Sequence, residues 1–374
     1  MLNCCQLNRP LGLTQTINTN QILLDIMSGF YRFLLKRSVN MMIVVFSTLV
    51  LTIALLGSTL DKILTDAIRY DVGNAISQGK MQFQNSEERQ NFINSQIQLQ
   101  IKTLGLDEPW YSPKRFLNTL IKVITLDLGK SNFFTTESGS SKVNDIIWEK
   151  IPRTVLLFTT STLIVTVIGI YIGAFVAEHS GSVWDRINSV IAICSSSFPS
   201  WWVGMLMIFV FAFTYHIFPA RATPLTSPSD PSYILDLLYH MLLPLLTIVI
   251  VSFTAWAYIV RYFLEGILGE DFIRSKRAMG ISERKILYSH ALKNAAPPIL
   301  TSIALSLAAS FGGAIIIEAV FDWPGMGKLY YDAIGVLDVP VIIGLTYVFT
   351  IIFVITVFVT DILYGYFDPR VKVA

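Results

Sequence analysis

Six unbroken apolar runs punctuate the chain, at about 39–58, 153–177, 187–214, 241–262, 298–320 and 340–362. A bilayer core of about 30 Å needs roughly 20 apolar residues in helical form. A membrane barrel would show strands of about ten residues with alternating hydrophobicity, and these runs do not alternate. The pattern predicts six transmembrane helices in an all-α polytopic bundle. Pro199 and Pro244 fall inside the third and fourth runs; each removes a backbone donor and is expected to bend its span. Between the first two runs, the stretch WYSPKRFLNTLIKVITLDLG carries Phe116, Leu117, Leu120, Ile121 and Ile124 at helical spacing. A small helical cap is expected there, resting on the membrane surface or on the bundle. The chain thus divides into a polar tail at 1–29, a first transmembrane helix at 30–58, an extracytoplasmic segment at 59–150 and a five-helix core at 151–374.

Lysine and arginine in short flanks set the expected orientation. Arg32, Lys36 and Arg37 precede the first run, and Arg370 and Lys372 follow the last. The 263–297 loop holds Arg274, Lys276, Arg277, Arg284, Lys285 and Lys293, with Arg261 at its edge. Loop 215–240 offers only Arg221, and loop 321–339 only Lys328. Both termini and the basic loop are therefore expected in the cytoplasm, with 59–150 outside.

Composition narrows the class. The chain is 53% hydrophobic and 14% charged, where soluble domains carry about 25% charge. A net charge of +2, with no basic face interleaved with aromatics, gives no reason to expect nucleic acid as a partner. Cys4, Cys5 and Cys194 form no CxxC pair, and His179, His216, His240 and His290 have no second ligand at metal spacing; no disulfide scaffold or metal site is expected. Residues 1–29 contain no signal-peptide run, and the first apolar run lacks a small-x-small cleavage site, so it reads as a retained anchor. Met27 is a candidate alternative start. The central parts of the runs carry no charge; Glu318, Asp361 and His240 sit near their ends. That argues against an ion-coupled carrier or a membrane-embedded transferase, which need charged or metal-binding groups at membrane depth.

The basic loop contains RSKRAMGISERKILYSHALKNAAPP. Gly280 suits the left-handed residue that closes a helix, Ser282 an N-cap, and Glu283 a first turn. Ile281 and Ile286 occupy hydrophobic-staple positions. A helix at about 266–279, a tight corner and a second helix ended by Pro297-Pro298 are expected. Such a basic amphipathic element could bind anionic lipid headgroups. The intermixed Glu270, Asp271 and Glu283, and a corner that lipid binding does not require, favour a knob for a groove on a soluble partner.

The run EDFIRSKRAMGISERKILYSHALKNA resembles the cytoplasmic coupling loop of ABC-transporter permeases, in the form found among dipeptide/oligopeptide and nickel importers. Gly280 matches the motif's central glycine, although Lys276 stands where a small residue is usual, which bears on how closely the first helix packs. GLDEPWYSPKRFLNTLIKVITLDLGKS, EAVFDWPGMGKLYYDAIGVLDVPVIIG and DILYGYFDPRVK resemble other stretches of the same subfamily, and the similarity runs from about 30 to 374 apart from 59–100. The resemblance implies a type I importer-like permease fold in a plasma membrane. It implies four kinds of partner: a second homologous permease, two ATP-binding subunits, an extracytoplasmic solute-binding protein and membrane lipid. It implies a non-enzymatic chain that binds no cofactor, ATP and Mg being used by the partner subunits. Its expected ATPase-coupling residues are Glu270, Asp271, Phe272, Arg274, Arg277, Ala278, Gly280, Ser282 and Glu283. Di- or oligopeptide is the default solute, with oligosaccharide or nickel as alternatives.

PGMGKLYY at 324–331 fails as a phosphate loop, because Leu329 follows Lys328 where Walker A needs Ser or Thr. Trp323-Pro324-Gly325 reads as a rigid turn. By the resemblance, Glu318, Trp323, Pro324 and Gly325 are candidates to face the binding protein, with a plain turn and an interfacial Glu318 as the alternatives. Hydroxyl and small residues cluster in the spans, at Ser195, Ser196, Ser197 and Ser200, at Thr301, Ser302, Ser306 and Ser310, and at Gly312 and Gly313. Helix packing is their usual use in membranes; Ser306 and Ser310 are the pathway candidates.

Overall fold

The computed structural model describes residues 19–78, 85–103, 107–131 and 133–367. Arg370, Lys372, Cys4 and Cys5 lie outside the described residues, as do much of the 1–29 tail and the end of DILYGYFDPRVK. Among the described residues the secondary structure is helical apart from one isolated bridge, Lys130 to Lys142.

The first apolar run lies within one long helix, α1 (Thr19–Gln78), whose apolar part is Leu35–Thr59. No break occurs at residue 58. The polar continuation of α1 forms a hairpin with α2 (Ser86–Thr103), burying Ile68 and Val72 beside Phe92, Ile93, Ile97 and Ile101. This hairpin was not expected. The expected cap is α3 (Pro113–Ile124), with proline in its first turn, where the missing N–H costs nothing. Arg115 of α3 pairs with Asp61 of α1, and Trp110 lies against Gly57, where a Cβ would come within 2.6 Å of the indole. Leu120 and Val123 are buried, while Leu117, Ile121 and Ile124 are exposed. The cap therefore rests on the bundle by one face and leaves an apolar face uncovered.

Two 36-residue helices form the centre, α4 (Val143–Glu178) and α7 (Tyr233–Leu268). They run side by side in the same direction. Gly169 meets Trp256, and Gly173 meets Ala257 and Val260, so closely that a Cβ at 173 would sit 2.6 Å from the Ala257 carbonyl oxygen. Gly-x-x-x-Gly pairs let membrane helices approach backbone to backbone. Pro244 is accommodated within unbroken α7, so the expected bend there gives no interruption. Pro199 does interrupt its span. α5 (Val183–Ser197) and α6 (Ser200–Met207), which continues as a π-helical stretch Ile208–Thr214, meet at 97°.

After α7 come α8 (Asp271–Ala278), the short α9 (Glu283–Lys285), a π-helical stretch Ile286–Ala291 and α10 (Leu292–Ser310). The expected helix at 266–279 is thus divided at Gly269-Glu270. Pro297-Pro298 do not end the second helix; both lie inside α10. Their missing donors are tolerated in a membrane helix because local π geometry re-satisfies the backbone. Here the π turn immediately precedes them; one turn later Thr301 Oγ1 and Ser302 Oγ donate to the Pro297 and Pro298 carbonyls at 3.0 and 2.9 Å, i−4 back-bonds that do not replace the missing donors. The fifth run bends by 59° before α11 (Ile315–Phe321), with Gly313 at φ +64° in the break. Then come α12 (Met326–Val336) and α13 (Val339–Phe367).

Among the described residues, four helices are individually long and apolar enough to cross a membrane, and counting each of the two bent pairs as one span raises the number to six. The predicted third and fifth spans are these bent pairs. Arg37 of α1 pairs with Asp361 of α13, and Thr356 Oγ1 of α13 donates to the Ala308 carbonyl of α10 at 3.0 Å. The N-terminal flank of the first span and the C-terminal end of the last therefore meet at one end of the bundle.

Coupling corner, capped turn and internal cavity

The sequence-predicted coupling residues fall on one exposed corner between α7 and α10. The α8 helix carries Asp271 in its first turn and Lys276 and Arg277 in its last, an order that complements its macrodipole. Gly280 takes φ +78°. Its N–H donates to the Arg277 carbonyl at 2.9 Å, and the Ile281 N–H reaches back to Lys276 at 3.2 Å, the paired bonds of a Schellman closure. Arg277 then forks onto Glu283 at 2.8 and 3.1 Å across the corner. The Glu283 carboxylate holds that guanidinium above its ordinary pKa, so the clamp stays charged. Ser282 occupies the N-cap position, but its hydroxyl makes no capping bond.

One face of the corner is inside. Ile273, Ile286 and Leu287 are buried, the last among Ala174, Ala177, Val260 and Leu264. The other face is outside: Glu270, Asp271, Phe272, Arg274, Arg277, Ala278, Gly280, Ser282 and Glu283 are all exposed. Just before the corner, buried Asp185 at the start of α5 pairs with Arg261 of α7 at 2.6 Å, and Ser180 donates to Glu265 at 2.6 Å. This network ties the α4–α5 turn to the end of α7. Arg261 entered the sequence reading only as one positive charge among many.

At the opposite ends of α4 and α10, Glu318 is enclosed rather than surface-facing. Its carboxylate accepts from the Gly327 and Lys328 N–H groups at 2.8 and 3.2 Å and from Thr154 Oγ1 at 3.0 Å. Thr154 in turn accepts from the Met326 N–H at 2.8 Å. Two side chains from other elements thus satisfy the first three N–H groups of α12, which a helix start leaves without internal partners. Gly325 and Gly327 leave room for the carboxylate: a Cβ at 325 would overlap it, and one at 327 would sit 3.1 Å from it. Trp323 is likewise buried, its indole N–H donating to the Arg153 carbonyl at 3.0 Å. The expectation that Glu318 and Trp323 face a binding protein is corrected: both are spent inside the fold. Gly325 is buried with them, and only Pro324 of the four keeps partial exposure.

The structure separates the two pathway candidates. Ser310 is buried, sharing a hydrogen bond of 3.0 Å with Thr159. Ser306 lines a cavity of about 370 Å³ among α4, α5, α7 and α10, together with Thr162, Thr166, Ser195, Ser196 and Ser252. Sequence reasoning named Ser195 and Ser196 but passed over Thr162, Thr166, Ser252 and Trp256. Their signal was polar residues inside apolar runs, which acquires meaning only once the four helices face one another. Gly169 and Gly173, also passed over, were legible as a Gly-x-x-x-Gly pair.

The family described as binding-protein-dependent transport system inner membrane component matches residues 169–373, a range containing the corner and most of the cavity lining. A putative peptide permease of Brucella suis is 35% identical over 275 residues, covering 72% of this chain and 82% of that one. The dipeptide transport system permease DppB of Bacillus subtilis is 31% identical over 267 residues, covering 71% and 81%. The oligopeptide transport system permease AppB of the same organism is 29% identical over 272 residues, covering 73% and 84%. Among solved structures, a chain of the inward-facing MetNI methionine ABC transporter aligns at a TM-score of 0.44 and 18% identity, covering 64% of this chain and 100% of that one. By the family match and these relatives, the chain belongs to the inner membrane components of binding-protein-dependent transport systems.

Proposed function

We propose that the chain is one of two permease subunits that together conduct di- or oligopeptides, and that it is driven through the α8 corner. A second, similar permease completes the pore. Two ATP-binding subunits dock at the corner and its counterpart, and a solute-binding protein delivers peptide on the opposite side. ATP and Mg are used by the docked subunits, while this chain binds neither and catalyses no reaction. The peptide assignment is supported by the relatives, which are named for peptide, dipeptide and oligopeptide transport. The flanking lysines and arginines support a cytoplasmic corner and cytoplasmic termini.

One observation carries the coupling role. The corner is stiff within itself, through its Schellman closure and the Arg277–Glu283 clamp, and it is continuous with the core through Ile273, Ile286 and Leu287. A partner that pulls on its exposed face moves α7 and α10 rather than bending a loop. Nucleotide-dependent closure of the ATP-binding subunits would thereby bias a two-state bundle.

Pull-downs from gently solubilised membranes test this. The wild-type chain should bring down a second permease and ATP-binding subunits. Gly280→Pro, whose φ near −65° is incompatible with the observed +78°, should lose the ATP-binding subunits and keep the second permease. Arg274→Glu with Arg277→Glu should do the same. Full retention of the ATP-binding subunits by both variants would refute docking at this corner.

A further inference from the structure

The face of α3 that the bundle leaves uncovered has the make-up of a membrane surface. Leu117, Ile121 and Ile124 recur at i, i+4 and i+7, and each is about half exposed. Around the helix they lie between the buried Leu120 and Val123 on one side and the exposed Lys114, Asn118 and Lys122 on the other. A helix at a bilayer boundary beside a bundle needs these three sides: one for protein, one for hydrocarbon and one, carrying lysine, for headgroups and water.

The level of α3 in the bundle agrees. At its start, Trp110 lies on Gly57 and Arg115 pairs with Asp61, on either side of Thr59, where the apolar part of α1 ends. At its end, the Tyr347 hydroxyl donates to the Ile124 carbonyl at 3.4 Å. Tyr347 stands well inside α13, about 12 Å from Val339 at about 1.5 Å per residue. The helix thus slopes from the end of one span to within the apolar length of another. Leu126 continues the exposed face into a groove of about 300 Å³ shared by α4, the end of α10 and α13. Ile151, Val155, Phe311, Val348 and Ile352 line it, and apart from Asn144, whose amide donates to the Leu126 carbonyl, its described lining is apolar. Val155, Val348 and Ile352 belong to membrane spans, so the face runs without a break into surface at membrane depth. Trp148 also borders the groove and is 66% exposed; tryptophan gathers where hydrocarbon meets headgroups.

We infer that α3 lies in the bilayer interface at the end of the bundle opposite the corner, and that the groove beyond Leu126 takes a phospholipid acyl chain. Leu117, Ile121 and Ile124 face the hydrocarbon, and Lys114 and Lys122 sit at headgroup level. This anchoring of the cap is independent of which solute the chain conducts.

Single nitroxide labels test it, attached to Leu117→Cys, Ile121→Cys, Ile124→Cys and Leu126→Cys, with Asn118→Cys and Lys122→Cys as references. The three native cysteines are replaced by serine, and the complete complex is returned to vesicles of phosphatidylethanolamine and phosphatidylglycerol. Every labelled side chain is exposed, so the substitutions leave the packing intact. Collisions with oxygen, compared with those of a water-soluble nickel chelate, should place the labels at 117, 121 and 124 about 5–10 Å below the phosphates. The label at 126 should lie deeper still, and those at 118 and 122 at or above the phosphates. Labels at 117, 121 and 124 as open to the chelate as those at 118 and 122 would overturn the inference. So would labels screened from both reagents, the mark of a protein cover, and a label at 126 no deeper than that at 117, which would remove the acyl chain from the groove.

Discussion

Glu318 shows how far a residue's surroundings can depart from its place in the sequence. A carboxylate near the end of an apolar run reads as interfacial, yet it is enclosed and accepts from two backbone N–H groups and Thr154. Nothing in the run itself points to this, because the donors arrive from a turn about ten residues later that folds back over it. The glycines of Pro-Gly-Met-Gly were visible, and the structure supplies their purpose as clearance for that carboxylate. Glu318→Ala leaves these donors buried without an acceptor and should destabilise the chain by about 2 kcal/mol or more, seen as a lowered thermal midpoint in detergent. Glu318→Gln retains one acceptor and should lose less. Gly169→Ala drives a methyl into Trp256 and should cost about 1–3 kcal/mol by overpacking, checked by the same measurement. A midpoint unchanged by Gly169→Ala would mean that α4 and α7 are not in contact there.

At the scale of elements, the corner was the most legible part of the chain. A glycine between two amphipathic stretches, followed by Ser-Glu, marks helix, turn, helix from local chemistry alone, and the structure has that order. Its limits were less legible. The division of α7 from α8 at Gly269 and the passage of α10 through Pro297-Pro298 are decided by packing against neighbours, which overrides the local preference for stopping at proline. The α1–α2 hairpin was missed because its apolar positions, Ile68, Val72, Phe92, Ile93, Ile97 and Ile101, are sparse in a polar segment. These residues form a cluster separate from the bundle cores. Ile68→Asp should therefore expose 86–103 to limited proteolysis while the yield of assembled complex holds. A parallel loss of assembly would show that the hairpin supports the bundle.

Across the whole molecule, the six apolar runs correctly located the membrane helices but not their shape. Hydropathy counts residues and is blind to direction, so the 97° and 59° bends left no trace beyond Pro199 and the Gly312-Gly313 pair. Those bends matter, since the first borders the hydroxyl-lined cavity and the second delivers Glu318 to the turn that it caps. Together with the parallel pair α4 and α7, they connect a corner at one end of the bundle to a capped turn at the other. The most direct test of such a coupled permease is ATP-driven uptake of a labelled dipeptide by vesicles holding the complete complex, with wild-type or Gly280→Pro chain. Uptake by the wild type that requires ATP and falls to background in Gly280→Pro is the expected result. Uptake that proceeds without ATP, or at the wild-type rate in Gly280→Pro, would contradict it.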